Sequence, residues 1–314
     1  ELLGKNQSAL GQIPNAVGDY NTERRSDVTY NSIDSTLWYL IGHHVYLQVY
    51  KDKTLLRKWR RNIEKAFLWL AYQDPNEDKL LVQQPTMDWE DAFPHKYGRV
   101  LNTQALHYAA LKMHGERTRA EHIKKVVNGT ISKYLSLYDQ NRGYYLPCIW
   151  KAHDKVREQE DWFDTLGNLL AIVSGLATPK IAESILSYIE KQDISKPYPC
   201  RAIDPPIKPK DKEWRPYFTQ VEARPYHYLN GGVWPFIGGF YVAALVKVKQ
   251  FEKAEQELER LALANKRGKK MEWEFNEWLD GIKGKPRGAP YQGWSAGMYL
   301  FASECVARRK VIYF

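Results

Sequence analysis

The chain has 314 residues, 44% of them hydrophobic and 26% charged, with a formal net charge of +9. Apolar residues are too many for a disordered chain, and no apolar run approaches the ~18 residues of a membrane-spanning helix. Three cysteines without CxxC spacing, Cys148, Cys200 and Cys305, offer neither a disulfide framework nor a zinc site.

The opening stretch, ELLGKNQSALGQIPN, has no basic-plus-apolar leader, and a reducing, cytoplasmic setting is the plain expectation. In "YNSIDSTLWYL", Asp34 is placed to cap a following helix or to bind a hydroxyl pair. Next, Leu55, Trp59, Ile63, Ala66, Phe67 and Leu70 recur at helical steps, with Arg57, Lys58, Arg60 and Arg61 on the opposite face. This interleaving reads as a solvated helix surface rather than a nucleic-acid footprint, so no nucleic-acid partner is expected.

Leu106 to Met113 and Leu166 to Leu176 repeat the helical spacing. Thr178-Pro179 then opens a further helix with a side-chain cap and a proline at its first position, continued by Ile181, Ile185 and Ile189. Phe236 to Val248, Ala254 to Leu263 and Ser295 to Ala307 bring the count to about nine helices, while alternating strand patterns are scarce. Long connections at 74–98, 139–165, 195–232 and 267–294 hold the unusual residues. Connections of that length are uncommon unless functional. The expectation is one all-α domain spanning 1–314, its loops gathered at one end.

Four loop clusters carry candidate chemistry. In "TMDWEDAFPHKYGR", Asp88, Glu90 and Asp91 surround Trp89, and a carboxyl beside an indole and other acids is suited to remain protonated as a general acid. In "WEFNEWLDGIKGKPRGAPYQGWSAG", Glu274, Glu277 and Asp280 alternate with Trp273 and Trp278, and one of them is a candidate general base. "RPYHYLNGGVWPF" combines Tyr226, His227, Tyr228, Asn230 and Trp234 with Gly231-Gly232, a mixture of flat faces and hydrogen-bonding groups that suits a sugar. The fourth cluster is the Asp34 stretch. No GxSxG, P-loop or GxGxxG occurs, and His43-His44 lacks a carboxylate at ligand spacing, so no metal or cofactor is expected.

These motifs resemble the alkaline/neutral invertases and, more distantly, the glycogen-debranching glucosidases and mannosylglycerate hydrolases. The matching pieces are "GQIPN", "YNSIDSTLWYL", "WEDA" leading to "NTQALHYAAL", "DWFDTLGNLLAIVSGLATP", "NGGVWP", "FNEWLDGIKGK" and "YQGWSAG", in family order. The resemblance implies an (α/α)6 barrel, or toroid, and an inverting α-glycosidase acting on a small α-glucoside such as sucrose. The enzymatic alternatives are a debranching-type α-glucosidase and a glucosyl- or mannosylglycerate hydrolase; outside the enzymes, an inactive sugar-binding relative. By motif, Asp91 matches the family's general acid and Glu277 its base. Asp34, Trp38, Trp89, Gln104, His227, Asn230, Trp234, Gln292 and Trp294 would line the sugar pocket. Leu229 stands where invertases usually have a histidine. The helix count falls short of the family's twelve, as it would if an N-terminal part of the barrel were missing.

Overall fold

The structure, a computed structural model, describes residues 1–18, 27–153 and 156–314. Its helices are α1 (Leu2–Lys5), α2 (Asp34–Tyr50), α3 (Thr54–Lys58), α4 (Arg60–Ala71), α5 (Leu101–Met113) and α6 (Arg117–Val127). After them come α7 (Thr165–Ser174), α8 (Pro179–Lys191), α9 (Pro235–Lys247), α10 (Phe251–Lys266) and α11 (Gly293–Ala307). Among the described residues nine of these run to ten residues or more, as the periodicity predicts. The helix expected from Leu55 to Leu70 is broken at Trp59, whose backbone (φ −105°, ψ 17°) leaves the helical region between α3 and α4.

Burial sorts the helices into two layers. In α7 every residue is buried, as are Leu101–Leu111 of α5 and Pro235–Val246 of α9. A helix apolar all round has no face for water and belongs inside. By contrast α4, α6, α8 and α10 bury single stripes, such as Ile181, Ile185 and Ile189 of α8, and lie outside. The inner row runs in chain order, α5 on α7 and α7 on α9, and its more exposed ends are α2, packed on α5, and α11, packed on α9. Outer α4 lies on α2, α6 on α5, and α10 on α9 and α11. This alternation is that of an (α/α)6 barrel, of which the described residues supply five inner and four long outer helices. Phe314 bridges the two ends of the inner row, its ring 6.4 Å from Trp38 on α2 and 6.3 Å from Phe301 on α11.

α8 begins as expected, with Pro179 in its first turn and Thr178 Oγ1 accepting from the Ile181 amide at 3.4 Å. Strands are short. The longest pairing is the antiparallel hairpin of Cys148–His153 with Val156–Gln159, joined by Arg99–Val100 as a third strand. Four of the inner helices, α5, α7, α9 and α11, are entered from the long connections, and the N-terminal turn of α2 lies with theirs around one cavity.

Candidate active site

A cavity of about 940 Å³ opens at those N-terminal ends. Four inner helices each contribute a residue of their first turn: Asp34 from α2, Asn102 from α5, Leu166 from α7 and Trp294 from α11, and Trp234 and Phe236 flank the start of α9. The loop before α5 adds Asp88, Trp89 and Asp91, and the loop before α11 adds Glu277. Thus Asp91 and Glu277, nearly two hundred residues apart in the chain, border one cavity.

The acid-rich loops divide their carboxylates between structure and cavity. Glu274 accepts from the Lys269, Lys270 and Met271 amides at 2.7, 2.8 and 2.9 Å, closing its own turn. Asp280 caps the Ile282 and Lys283 amides and lies 3.3 Å from His227 Nε2. Of the three, Glu277 alone borders the cavity. Its Oε2 accepts from the Ala289 amide at 3.0 Å, and its own amide donates to the Ala289 carbonyl at 2.9 Å, which fixes the direction of the carboxylate.

In the other loop, buried Lys96 gathers three carboxylates: Glu90 at 2.8 Å, Asp88 at 3.1 Å and Asp164 at 3.5 Å. Burial disfavours the ammonium, but the three carboxylates outweigh it and hold Lys96 well above its ordinary range. Burial likewise drives the Glu90 carboxyl well up, against the pull of Lys96. This buried knot anchors the segment whose next residue, Asp91, reaches the surface of the cavity. Burial and then the neighbouring Asp88 raise Asp34 to about 7, with Ser32 and Lys96 opposing. Asp34 is the first helical residue of α2 rather than its N-cap, which is Ile33, so the capping expectation gives way to a place on the cavity wall.

Aromatic rings form the remaining wall. Trp89 meets Trp234 and Phe236 edge-on at 5.5 and 5.1 Å, and Phe236 stacks on Trp294 at 4.7 Å with an interplanar angle of 10°. Trp38 extends this wall along α2. Tyr228 joins it between the two candidate catalytic loops: its hydroxyl is pushed up first by burial, then by Asp91 and Glu277 together.

Four residues expected at the sugar lie outside the cavity lining. Gln104 is fully buried, accepting from the Leu81 amide at 3.0 Å and donating to the Leu81 and Val100 carbonyls. Asn102 and Gln104 are separated by about 200° around the helix, so when one faces the cavity the other faces away. Asn230 staples the loop before α9, accepting from the Ile207 amide at 2.7 Å and donating to the Ile207 and Ala223 carbonyls at 2.8 Å. Gly231, at φ +87°, supplies the left-handed turn that follows it. His227 pairs with Asp280 and packs on Trp278, and Gln292 is the N-cap residue of α11, with no side-chain capping bond; neither borders the cavity. Leu229, at the family's histidine position, is buried in the core. Asn102 opens the NTQALHYAAL stretch and Lys96 lies within TMDWEDAFPHKYGR, but local patterns single out neither as a site residue.

Comparison with known proteins places the chain in a family. The family described as alkaline and neutral invertase matches residues 124–308, which includes Glu277 but not Asp34, Asp91 or Asn102. Alkaline/neutral invertase C, mitochondrial, of Arabidopsis thaliana is 31% identical over 171 residues, covering 52% of this chain and 24% of the relative. Cytosolic invertase 1 of Oryza sativa subsp. japonica is 32% identical over 148 residues, 45% of this chain and 25% of the relative. The chain therefore matches about a quarter of the length of these relatives. Among solved structures, the GH63 mannosylglycerate hydrolase from Thermus thermophilus in complex with glucose superposes with a TM-score of 0.68 at 15% identity, covering 95% of this chain and 86% of that one. A rhamnosidase from Klebsiella oxytoca with rhamnose bound gives 0.55 at 14% identity, covering 89% and 49%. These two share the fold. Among the described residues no helix is long and apolar enough to cross a membrane. With a match over more than half of its length and the helical order described above, the chain belongs to the alkaline and neutral invertase family.

Proposed function

We propose that the protein hydrolyses the α-glycosidic bond of a small glucoside, sucrose foremost, with inversion at the anomeric carbon. Asp91 is the general acid and Glu277 the general base. The observation that carries this reading is that both carboxylates border one aromatic-walled cavity and both act on the hydroxyl of Tyr228. In the inverting reaction Asp91 gives its proton to the glycosidic oxygen as the C–O bond breaks. Glu277 takes a proton from the water that attacks the opposite face of the ring. Room for that water requires carboxyl groups roughly 6.5–9.5 Å apart.

The cavity's other residues suit a sugar. Trp89, Trp234 and Trp294 offer flat apolar faces to the C–H side of a pyranose, and Asp34 and Asp88 offer acceptors to its hydroxyls. A protein that only bound sugar would have no need of two carboxylates in these roles, which favours catalysis over the sugar-binding alternative.

The test is sugar release from sucrose, isomaltose, glucosylglycerate and mannosylglycerate, with the product anomer followed by proton NMR. β-Glucose as the first product from sucrose supports the reading. α-Glucose as the first product would refute inversion, and preference for another member of the panel would replace sucrose.

A further inference from the structure

Asn102 is the anomaly of the cavity. It is 1% exposed, it borders the cavity, and neither its side-chain nitrogen nor its side-chain oxygen has a hydrogen-bond partner in the protein. The next two residues on α5 show that the fold readily satisfies polar groups here. Thr103 Oγ1 donates to Gln83, and Gln104 makes three bonds, two to the Leu81 backbone and one to the Val100 carbonyl. Leaving a buried amide unpaired costs about 1–3 kcal/mol per group, so a residue that does so at a cavity wall calls for a ligand.

The chemistry of that ligand follows from the neighbours. Asp88 lies 3.1 Å from the Lys96 ammonium, and an ionised carboxylate only accepts hydrogen bonds. A bound hydroxyl that donates to such a carboxylate still has lone pairs to fill. Asn102 carries the amide N–H groups that can fill them, and a carbonyl oxygen for a second hydroxyl. Its position in the first turn of α5 adds the partial positive charge of a helix N-terminus.

We propose that Asn102 is a specificity-determining residue that reads a hydroxyl group of the glycosyl unit in the cavity. The inference rests on the reading of the cavity as a sugar site and identifies a donor, beside the unpartnered Trp89 indole N–H, that complements its carboxylates. It distinguishes Asn102 from Gln104, whose side chain is committed to the backbone.

The experiment measures binding of D-glucose and its 2-, 3-, 4- and 6-deoxy analogues by calorimetry, for the wild type and for Asn102→Leu, with Asn102→Ala as a second variant. The wild type should bind D-glucose about tenfold tighter than the analogue lacking the hydroxyl that Asn102 reads. The variants should bind D-glucose about tenfold more weakly yet lose nothing further on that one analogue. Because removing an unpaired buried amide relieves a cost, the ligand-free Asn102→Leu protein should melt at or above the wild-type temperature. A melting temperature lowered by several degrees with unchanged discrimination among the analogues would make Asn102 structural and overturn the proposal. Equal losses on all four analogues would overturn it as well. Should the wild type hydrolyse no glycoside and bind none of the five sugars, the reading of the cavity itself falls, an outcome distinct from failure of the Asn102 variants alone.

Discussion

Gly288 presses against Glu277. At φ +65°, a Cβ on Gly288 would lie 2.6 Å from Glu277 Cβ and collide with its Oε2, the oxygen that accepts the Ala289 amide. The position that the Ala289 bonds give the candidate base is therefore open only because residue 288 has no side chain.

Gly288→Ala should displace Glu277 at a site exposed enough for the fold to survive. A left-handed alanine costs about 1–2 kcal/mol, and displacement of a catalytic group by ~1 Å lowers rates about 100-fold. The expected result is a fall in kcat of about that size with KM nearly unchanged. Wild-type kcat in a folded variant would show that Glu277 tolerates movement or is not the base.

Asp91→Asn and Glu277→Gln remove the two proton-transfer groups while keeping their shapes. Each should lower kcat by about 100- to 10,000-fold, with circular dichroism and melting temperature close to wild type. Retention of near wild-type turnover by either variant would remove that residue from its role.

Among the described residues Lys96 is the one cation paired with Asp88, Glu90 and Asp164, in a site that water does not reach. Lys96→Met leaves those carboxylates buried without a cation, a change of about 3–5 kcal/mol in stability. The loss should shrink at acidic pH, where Glu90 and Asp164, both already raised by burial, become protonated. Chemical denaturation at pH 5 and pH 8 measures this difference, and an equal loss at both pH values would contradict the electrostatic account.

Asp34 has a folded-state pKa of about 7, raised from about 3.8 by burial and Asp88. Between these values the unfolded chain releases the proton while the folded chain keeps it. Stability contributed by this group therefore falls as pH rises from about 4 to about 7 and levels off above. Asp34→Asn should remove that slope and raise the melting temperature at pH 8 more than at pH 4.5. Parallel pH–stability curves for variant and wild type would argue against the raised pKa.

Asn230 has all three of its hydrogen bonds inside the protein. Asn230→Ala is thus expected to lower stability by about 1–3 kcal/mol while leaving D-glucose affinity in the folded protein within a factor of two or three. A large affinity loss at unchanged stability would return Asn230 to the sugar site.

Much of the fold is legible because helical burial writes itself at fixed spacing. Ile181, Ile185 and Ile189 reveal the inward stripe of α8, and Thr178-Pro179 reveals its start, since both depend on residues within one or two turns. The long connections are legible for the complementary reason: they lack a period and collect tryptophan, glycine and carboxylate. Trp59 illustrates the limit. Its spacing fits a continuous helix, yet the backbone breaks there and the indole packs into the core, against which an added Cβ at Gly4 would collide.

The chain's own sequence determined the helical class, the order of the motifs and the short set of residues able to do acid–base chemistry. Tertiary structure decided which of them meet. Glu274, Glu277 and Asp280 are equivalent acids in one dimension, but backbone amides of a tight turn claim the first, a second turn and His227 claim the last, and Glu277 remains at the cavity. Asn102 and Gln104 differ likewise only in the side of α5 they occupy. Periodicity reports whether a side chain is covered; what covers it depends on contacts between residues distant in the chain, and only the packed helices bring those together.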